Sequence, residues 1–371
     1  MREIGLKDRP SVPRLNADTP GCPSTRKQST RKAFSPRSGD SPVNGTAQSS
    51  IARQQEFVSC RRVLFAILVT GLVSSLLSCD SPDSPVESPP PPTQFEHHLV
   101  LDAEPSWSAD DSTIVYYHVG ITEILSSESF IVNPDSQGLW IVQTVGDKAH
   151  LVLRAEESRA KFSPIDNSVV VQANLQIYRT SLVDGFLTSP TQLTSVGNNF
   201  DPVWSRDNSL IAFESNASGR YAIWRMQATG EDKRKIPLKW STRVNDVDWF
   251  PSGDQIVGSA YDVDSQSWDL VVFDTAGTVV GHLAQSRENE TRPHVSPDGN
   301  TVAFERSGWV WLVDADNSGA RRLVRGINPA WSHSGKWIAY IAADWSARNG
   351  VATVWKIDVA SGEVSILTRG P

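Results

Sequence analysis

The chain has 371 residues, with 35 Lys and Arg against 42 Asp and Glu, a net charge of −7 and three cysteines. Residues 1–62 hold 12 basic and 5 acidic residues, whereas the remainder holds 23 and 37. So acidic a body argues against nucleic acid and anionic lipid surfaces as ligands, and so few cysteines exclude a disulfide scaffold.

Residues 1–57 are rich in Ser, Arg, Pro and Thr and lack hydrophobic periodicity, which predicts a disordered or untranslated leader. Met occurs only at positions 1 and 226. Translation is expected to start near Val58 from a non-standard codon, with a long basic cytoplasmic extension as the alternative. Arg61-Arg62 then precede an apolar or small-residue run from Val63 to Leu77. A positive segment, a short apolar stretch and a small residue at the cleavage point predict a secretory signal peptide over 58–78. The run falls short of the ~20 residues that cross a bilayer. Its ending, Leu76-Leu77-Ser78-Cys79, resembles the bacterial lipobox. That resemblance implies that Cys79 is acylated and becomes the mature N-terminus. Asp80 directly after it resembles the inner-membrane retention signal of some Gram-negative bacteria. Residues 79–94 are acidic and Pro-rich, which predicts an extended tether of about 3 Å per residue. Of Cys22, Cys60 and Cys79 only the last survives such processing, so no disulfide is expected.

Within residues 95–371, expected to form one domain, a short phrase recurs six times along 103–371: an aromatic or bulky residue, usually Ser, one or two variable positions, then Asp, Asn or Gly. It starts at Trp107, Phe162, Trp204, Trp249, Val295 and Trp331, at intervals of 55, 42, 45, 46 and 36 residues. A β-branched strand follows each copy. The fifth repeat shows the plan. Arg292-Pro-His-Val reads as a short inner strand and Ser296-Pro-Asp-Gly-Asn as a tight turn. Thr301-Val-Ala-Phe-Glu and Trp309-Val-Trp-Leu-Val-Asp read as two further strands, and Arg321-Arg-Leu-Val-Arg as an outer one. Four strands per unit at a period near 40–45 predict an all-β fold, a six-bladed propeller of four-stranded blades. Gly120 to Gln137 lengthens the first unit and reads as an inserted loop. The 13 Trp fall mostly on strands, where burial between blades accounts for them. Phe95-Glu-His-His-Leu-Val-Leu-Asp either adds a strand to the last blade and fastens the ring, or leads in unpaired.

The Pro-x-Trp-Ser-Pro-Asp-Gly phrase, followed by Ile-Ala-Phe-like and Ile-Trp-x-x-Asp-like strands, resembles the TolB-type propeller repeat, a WD-like repeat. Prolyl oligopeptidase-like enzymes carry the same repeat. The resemblance covers residues 103–368 and is strongest in the third, fifth and sixth units. It implies the fold; the N-terminal α/β domain of TolB has no counterpart here.

Aligning the six phrases places Glu104, Arg159, Asp201, Asp246, Arg292 and Asn328 at one position, just before the inner-strand Pro or its substitute. Two residues on come Ser106, Lys161, Val203, Asp248, His294 and Ala330. Innermost strands line the propeller channel, so one ring is expected to face its lumen. Glu104, Arg159, Lys161, Asp201, Asp246, Asp248, Arg292 and His294 are the candidate ligand-binding residues. An ordinary solvated lining is the bland alternative. Asp314-Ala-Asp-Asn-Ser-Gly and the run from Asp262 to Asp269 look like acidic cation loops. Arg325 and Phe273 stand where a bidentate carboxylate is required, so both read as turns. His97-His98 reads as strand edge. No metal and no cofactor is expected. Gly-x-Ser-x-Gly and His-Glu-x-x-His are both absent, and no hydrolase domain is expected.

The sequence therefore predicts a monomeric, lipid-anchored propeller on the extracytoplasmic face of a membrane, periplasmic or surface. Its expected work is binding an envelope protein or glycan at the channel mouth. The runner-up is a carbohydrate lyase or hydrolase using Arg159, Lys161, Arg292 and His294, and a purely structural envelope protein is a third reading.

Overall fold

The recurring phrase is a turn whose hydrogen bonds are built from its own residues. In a computed structural model of the chain, the serine of the phrase accepts the backbone N–H of the residue five places on. Thr113 N, Leu210 N, Thr301 N and Trp337 N lie 3.0, 2.9, 3.0 and 3.1 Å from Ser108, Ser205, Ser296 and Ser332 Oγ. Three of these serines donate to the aspartate two residues on, Asp110, Asp207 and Asp298. In five of the six copies the Asp, Asn or Gly that closes the phrase supplies positive φ: 58° at Asp111, 60° at Asn208, and 76°, 76° and 74° at Gly253, Gly299 and Gly335. Left-handed backbone is cheap for Gly and tolerated by Asn and Asp. That tolerance is why those three types alternate there.

The structure describes residues 96–124, 129–145, 148–238, 243–344 and 351–369. All of them fall within one of the two units into which the chain divides. The leader, the signal peptide, Cys79 and the tether lie outside the described residues, and no described helix is long and apolar enough to cross a membrane. The first repeat comprises β1 (Glu96–Trp107), β2 (Thr113–Ile124), β3 (Ser129–Gln143) and β4 (Ala149–Leu153). The second comprises β5 (Arg159–Phe162), β6 (Ser168–Ala173), β7 (Gln176–Val183), β8 (Phe186–Leu187) and β9 (Thr191–Gln192). The third holds β10 (Asn199–Trp204), β11 (Leu210–Ser215), β12 (Ala222–Gln227) and β13 (Arg234–Lys235). The fourth holds β14 (Val244–Trp249), β15 (Gln255–Asp262), β16 (Ser267–Asp274) and β17 (Val279–Leu283). The fifth holds β18 (Glu290–Val295), β19 (Thr301–Arg306), β20 (Trp309–Asp314) and β21 (Arg321–Arg325). The sixth holds β22 (Ile327–Trp331), β23 (Trp337–Asp344), β24 (Val351–Asp358) and β25 (Val364–Ile366).

The fold is all-β, a propeller arrangement of four-stranded antiparallel blades. Each innermost strand lies against the next in the order β1, β5, β10, β14, β18, β22, and β22 returns to β1. Six separate blades were expected, and the hydrogen bonding differs. Four sheets stand alone, those of the second to fifth repeats, while the first and last repeats share one eight-stranded sheet. The join is a parallel bridge of two pairs, Val100↔Val351 and Leu101↔Ala352. So the segment from Glu96 adds to the last repeat's third strand while pairing along its length with β2.

The second strands read as continuous apolar runs because neighbouring sheets cover both their faces. Ile211 packs with Val170 and Ile177 of the second repeat, and Ala212 with Val244, Trp249 and Phe273 of the fourth. Val257 faces Val295, Val302 and Phe304, whereas its neighbour Ile256 faces the third repeat. Every pair of adjacent repeats encloses such a cluster. One of them seals Trp107, Ile114 and Tyr116 against Ala339, Val354 and Leu367 at the seam. Truncating one of these aromatics, Trp249 for example, costs about 3–5 kcal/mol.

The stretch from Gly120 to Gln137 is not a loop. Its two ends, Ile121-Thr-Glu-Ile and Ser129-Phe-Ile-Val-Asn, extend β2 and β3 into a hairpin arm, paired from Gly120↔Asn133 to Ile124↔Ser129. These are β-forming residues, so the length of the insertion misled where its composition did not. The two acidic runs are hairpin connections: Asn317 N closes on Asp314 O at 2.8 Å, and Asp264 N on Asp262 Oδ1 at 2.8 Å.

Candidate functional site: the channel mouth

One cavity gathers the predicted residues. Glu104, Arg159, Asp201, Asp246, Arg292 and Asn328 line it together with Lys161, Val203, Asp248 and His294 of the second ring. Its volume is about 70 Å³, enough for a few ordered waters or the head of one side chain.

The backbone aims the first ring. Glu104, Asp201, Asp246, Arg292 and Asn328 have φ between 47° and 54°, a region uncommon for non-Gly residues. Each sits at a register shift of its inner strand, between Ala103 and Ser106, Phe200 and Val203, Asn245 and Asp248, Thr291 and His294, and Ile327 and Ala330. A bulge of this kind re-aims a side chain. Pro follows in four of the five, where a missing N–H costs the ladder nothing because pairing is already broken. The second repeat has Ala160 in place of Pro, and β5 pairs without interruption from Arg159↔Gln172 to Phe162↔Val169.

Electrostatically the mouth is a hub around one carboxylate. Glu104 lies 3.5 Å from Arg159, 3.7 Å from Lys161 and 3.4 Å from Arg292. Arg159 also pairs with Asp201, and Arg292 with Glu305 at 3.1 Å. Burial alone would raise the Glu104 carboxyl, but Arg159, Lys161 and Arg292 together hold it well below the usual carboxylate range. Burial acts to lower Arg292, and Glu305, Glu104 and Asp246 more than compensate, so its guanidinium is held more firmly protonated. The cations that suggested lyase chemistry are therefore already engaged by carboxylates.

The second ring largely ties the blades together. Ser106 Oγ accepts Phe162 N–H at 3.0 Å, Asp248 Oδ2 accepts Val295 N–H at 2.8 Å, and His294 Nδ1 accepts Trp331 N–H at 3.3 Å. In each case a side chain of one repeat caps the last residue of the next repeat's inner strand. The Trp331 contact requires the Nε2–H tautomer of His294. The 3.7 Å approach of Nδ1 to Asp248 is then a contact between acceptors rather than an ion pair. Burial first, then Arg206 and Lys161, hold His294 well below its usual range, so it is neutral near pH 7. Burial raises Asp248 despite Arg206 and the backbone donors. Ser106 and Ala330 do not line the cavity.

Sequence alignment missed Arg206. It sits in the turn of the third repeat, where the other repeats carry Ala109, Pro164, Pro251, Pro297 and His333. Its guanidinium reaches the fifth repeat to donate to Val295 O and lies 3.8 Å from Asp248 of the fourth. A cation at a position otherwise small, cyclic or imidazole was the available signal.

No protein-family model matches the chain. Over 143 residues, 35% of its length, it is 32% identical to an uncharacterized protein of Agrobacterium fabrum strain C58; the match spans about half, 46%, of that relative. Solved structures similar to it include TolB of Agrobacterium tumefaciens, at 17% identity and TM-score 0.48 over 74% of this chain and 89% of that one. TolB of Acinetobacter baumannii is 15% identical with TM-score 0.45 over 73% and 69%. An oligogalacturonate lyase in complex with manganese is 11% identical with TM-score 0.45 over 75% and 79%. The propeller arrangement itself rests on the strand pairing and packing described above.

Proposed function

We propose that this chain is an exported docking scaffold: a six-bladed propeller, lipid-anchored through Cys79 to the cell envelope, that seats a protein partner on the loops around the Glu104 mouth. Two observations support the blade count. The eight-stranded sheet consists of two antiparallel quartets, and the parallel bridge between them is only two residue pairs long. The observation that carries the docking reading is the Glu104 hub. Its cations are neutralised internally by Glu104, Asp201 and Glu305, so the lumen offers no free cation to an anionic chain or sugar, and the rim is what a partner meets. Rigid blades presenting variable loops on one face suit that work.

Crosslinking in intact cells expressing the tagged chain, followed by identification of what is captured, tests the reading. One dominant protein joined to loops at the Glu104 mouth is expected, and capture of nothing at good expression would overturn it. Turnover of a polyuronate that disappears in Arg159→Ala, with the fold intact, would replace it by the enzyme reading. Incorporation of labelled palmitate, lost in Cys79→Ala, checks the anchor.

A further inference from the structure

The Glu104 hub uses up the cations of the mouth and leaves acceptors over. Among the described residues Asp246 has no ion pair or hydrogen bond within contact distance; its charge only helps to hold Arg292 protonated. Asn328 is 6% exposed, and its Oδ1 has no hydrogen-bond partner. Both side chains line the same cavity, whereas Asp201, which also lines it, is already engaged by Arg159. A buried carbonyl oxygen without a donor is a standing cost of folding that an incoming N–H removes.

Resting on the docking reading, we propose that this mouth receives a cationic side-chain head from the partner, a lysine ammonium or an arginine guanidinium, with the Asp246 carboxylate and the Asn328 amide oxygen as its acceptors. An anion is disfavoured there. It would have to displace Glu104 from Arg159, Lys161 and Arg292, or Asp248 from Arg206. A cation has only to shed water and displace none. The cavity of about 70 Å³ has room for such a head. The excess of 37 acidic over 23 basic residues beyond position 62 draws a basic partner towards the surface at long range.

The test uses N-acetyl-lysine amide and N-acetyl-arginine amide as probes of the purified full chain, with N-acetyl-glutamate amide and N-acetyl-glutamine amide as controls. Binding is followed by calorimetry and by protection of the mouth from carboxyl-modifying reagent. The cationic probes are expected to bind and the controls not. Asp246→Asn is expected to weaken them about tenfold and Asn328→Ala by several-fold, with an unchanged melting temperature and with Asp246→Glu restoring affinity. Preference for the glutamate probe, wild-type affinity in Asp246→Asn, or no binding of either cationic probe would each overturn the proposal. A partner crosslinked at the mouth whose capture ignores Asp246→Asn would sink this inference and leave the docking reading standing. Probe binding without any captured partner would overturn the docking reading, and with it the assignment of the cationic head to a partner.

Discussion

Thr368 and Asp102 join the two ends of the propeller across 266 residues of chain, the Thr368 hydroxyl donating to Asp102 Oδ2. The same hydroxyl oxygen accepts Val354 N–H at 2.9 Å, and His118 Nδ1 lies 2.7 Å from the other Asp102 oxygen. All three side chains are buried. Burial raises the Asp102 carboxyl, and His118 and Thr368 pull against that rise. Asp111 adds a second fastening at the seam, accepting His333 N–H at 2.7 Å and Ser334 N–H at 3.0 Å.

Thr368→Val keeps the shape and removes the hydroxyl, so Asp102 loses one buried donor and Val354 N–H keeps only its contact with the Asp102 carboxylate. The expected loss is about 2–3 kcal/mol, roughly 5 °C or more in melting temperature. Thr368→Ser should restore nearly all of it. A valine variant that melts with the wild type would mean that the apolar seam around Trp107 and Leu367 closes the ring unaided.

The inter-repeat caps give a second expectation. Asp248→Ala leaves Val295 N–H buried without an acceptor, and Ser106→Ala does the same to Phe162 N–H. Each should cost about 1–3 kcal/mol in urea unfolding. Asp248→Asn keeps an oxygen acceptor for Val295 and sheds a buried charge, so it should cost less than the alanine change. Equal losses in the two variants would show that charge rather than the cap matters at this position.

The repeat, the turn chemistry and the ring positions were legible because each lives in a few adjacent residues. The phrase encodes its own Ser-to-backbone hydrogen bond, and the residue before the inner-strand Pro occupies one place in every copy. What could not be read depends on residues far apart. Nothing near Asp102 announces Thr368, and nothing near Arg206 announces Val295. The hairpin arm was misread because a strand longer than its siblings looks like an interruption when the repeat is used as the ruler. Asp248 and His294 were placed at the right ring, but whether a ring residue faces lumen or neighbouring backbone follows from bulge geometry that the one-letter pattern does not carry.

Glu104→Gln should be destabilising although the side chain keeps its size. Arg159 retains Asp201 and Arg292 retains Glu305, so Lys161 suffers most. With the charges between 13% and 35% exposed, solvent screens part of the penalty, leaving about 1–3 kcal/mol. Adding Lys161→Met should recover part of that loss in a double-mutant cycle. Independent, additive effects of the two changes would show that the 3.7 Å pair is not a coupled unit.

Glu290 makes the pH dependence of folding testable. It is buried at the start of β18, 2.8 Å from Arg306 Nε and bonded by the Ser286 hydroxyl. Burial pushes its carboxyl up to about 7, helped by the neighbouring Asp269 and opposed by Ser286 and Arg306. The unfolded value is about 4.3, so between these two pH values the folded chain holds a proton that the unfolded chain has released. Stability contributed by this group therefore rises as pH falls from about 7 towards 4.3, by an amount on the order of 2 kcal/mol, and is lost above 7. Glu290→Gln carries a permanently neutral side chain of the same shape. Its unfolding free energy should lack that rise and should exceed the wild type at pH 8. A glutamine variant whose stability follows the wild-type curve from pH 8 to 5 would assign the titration to another carboxylate.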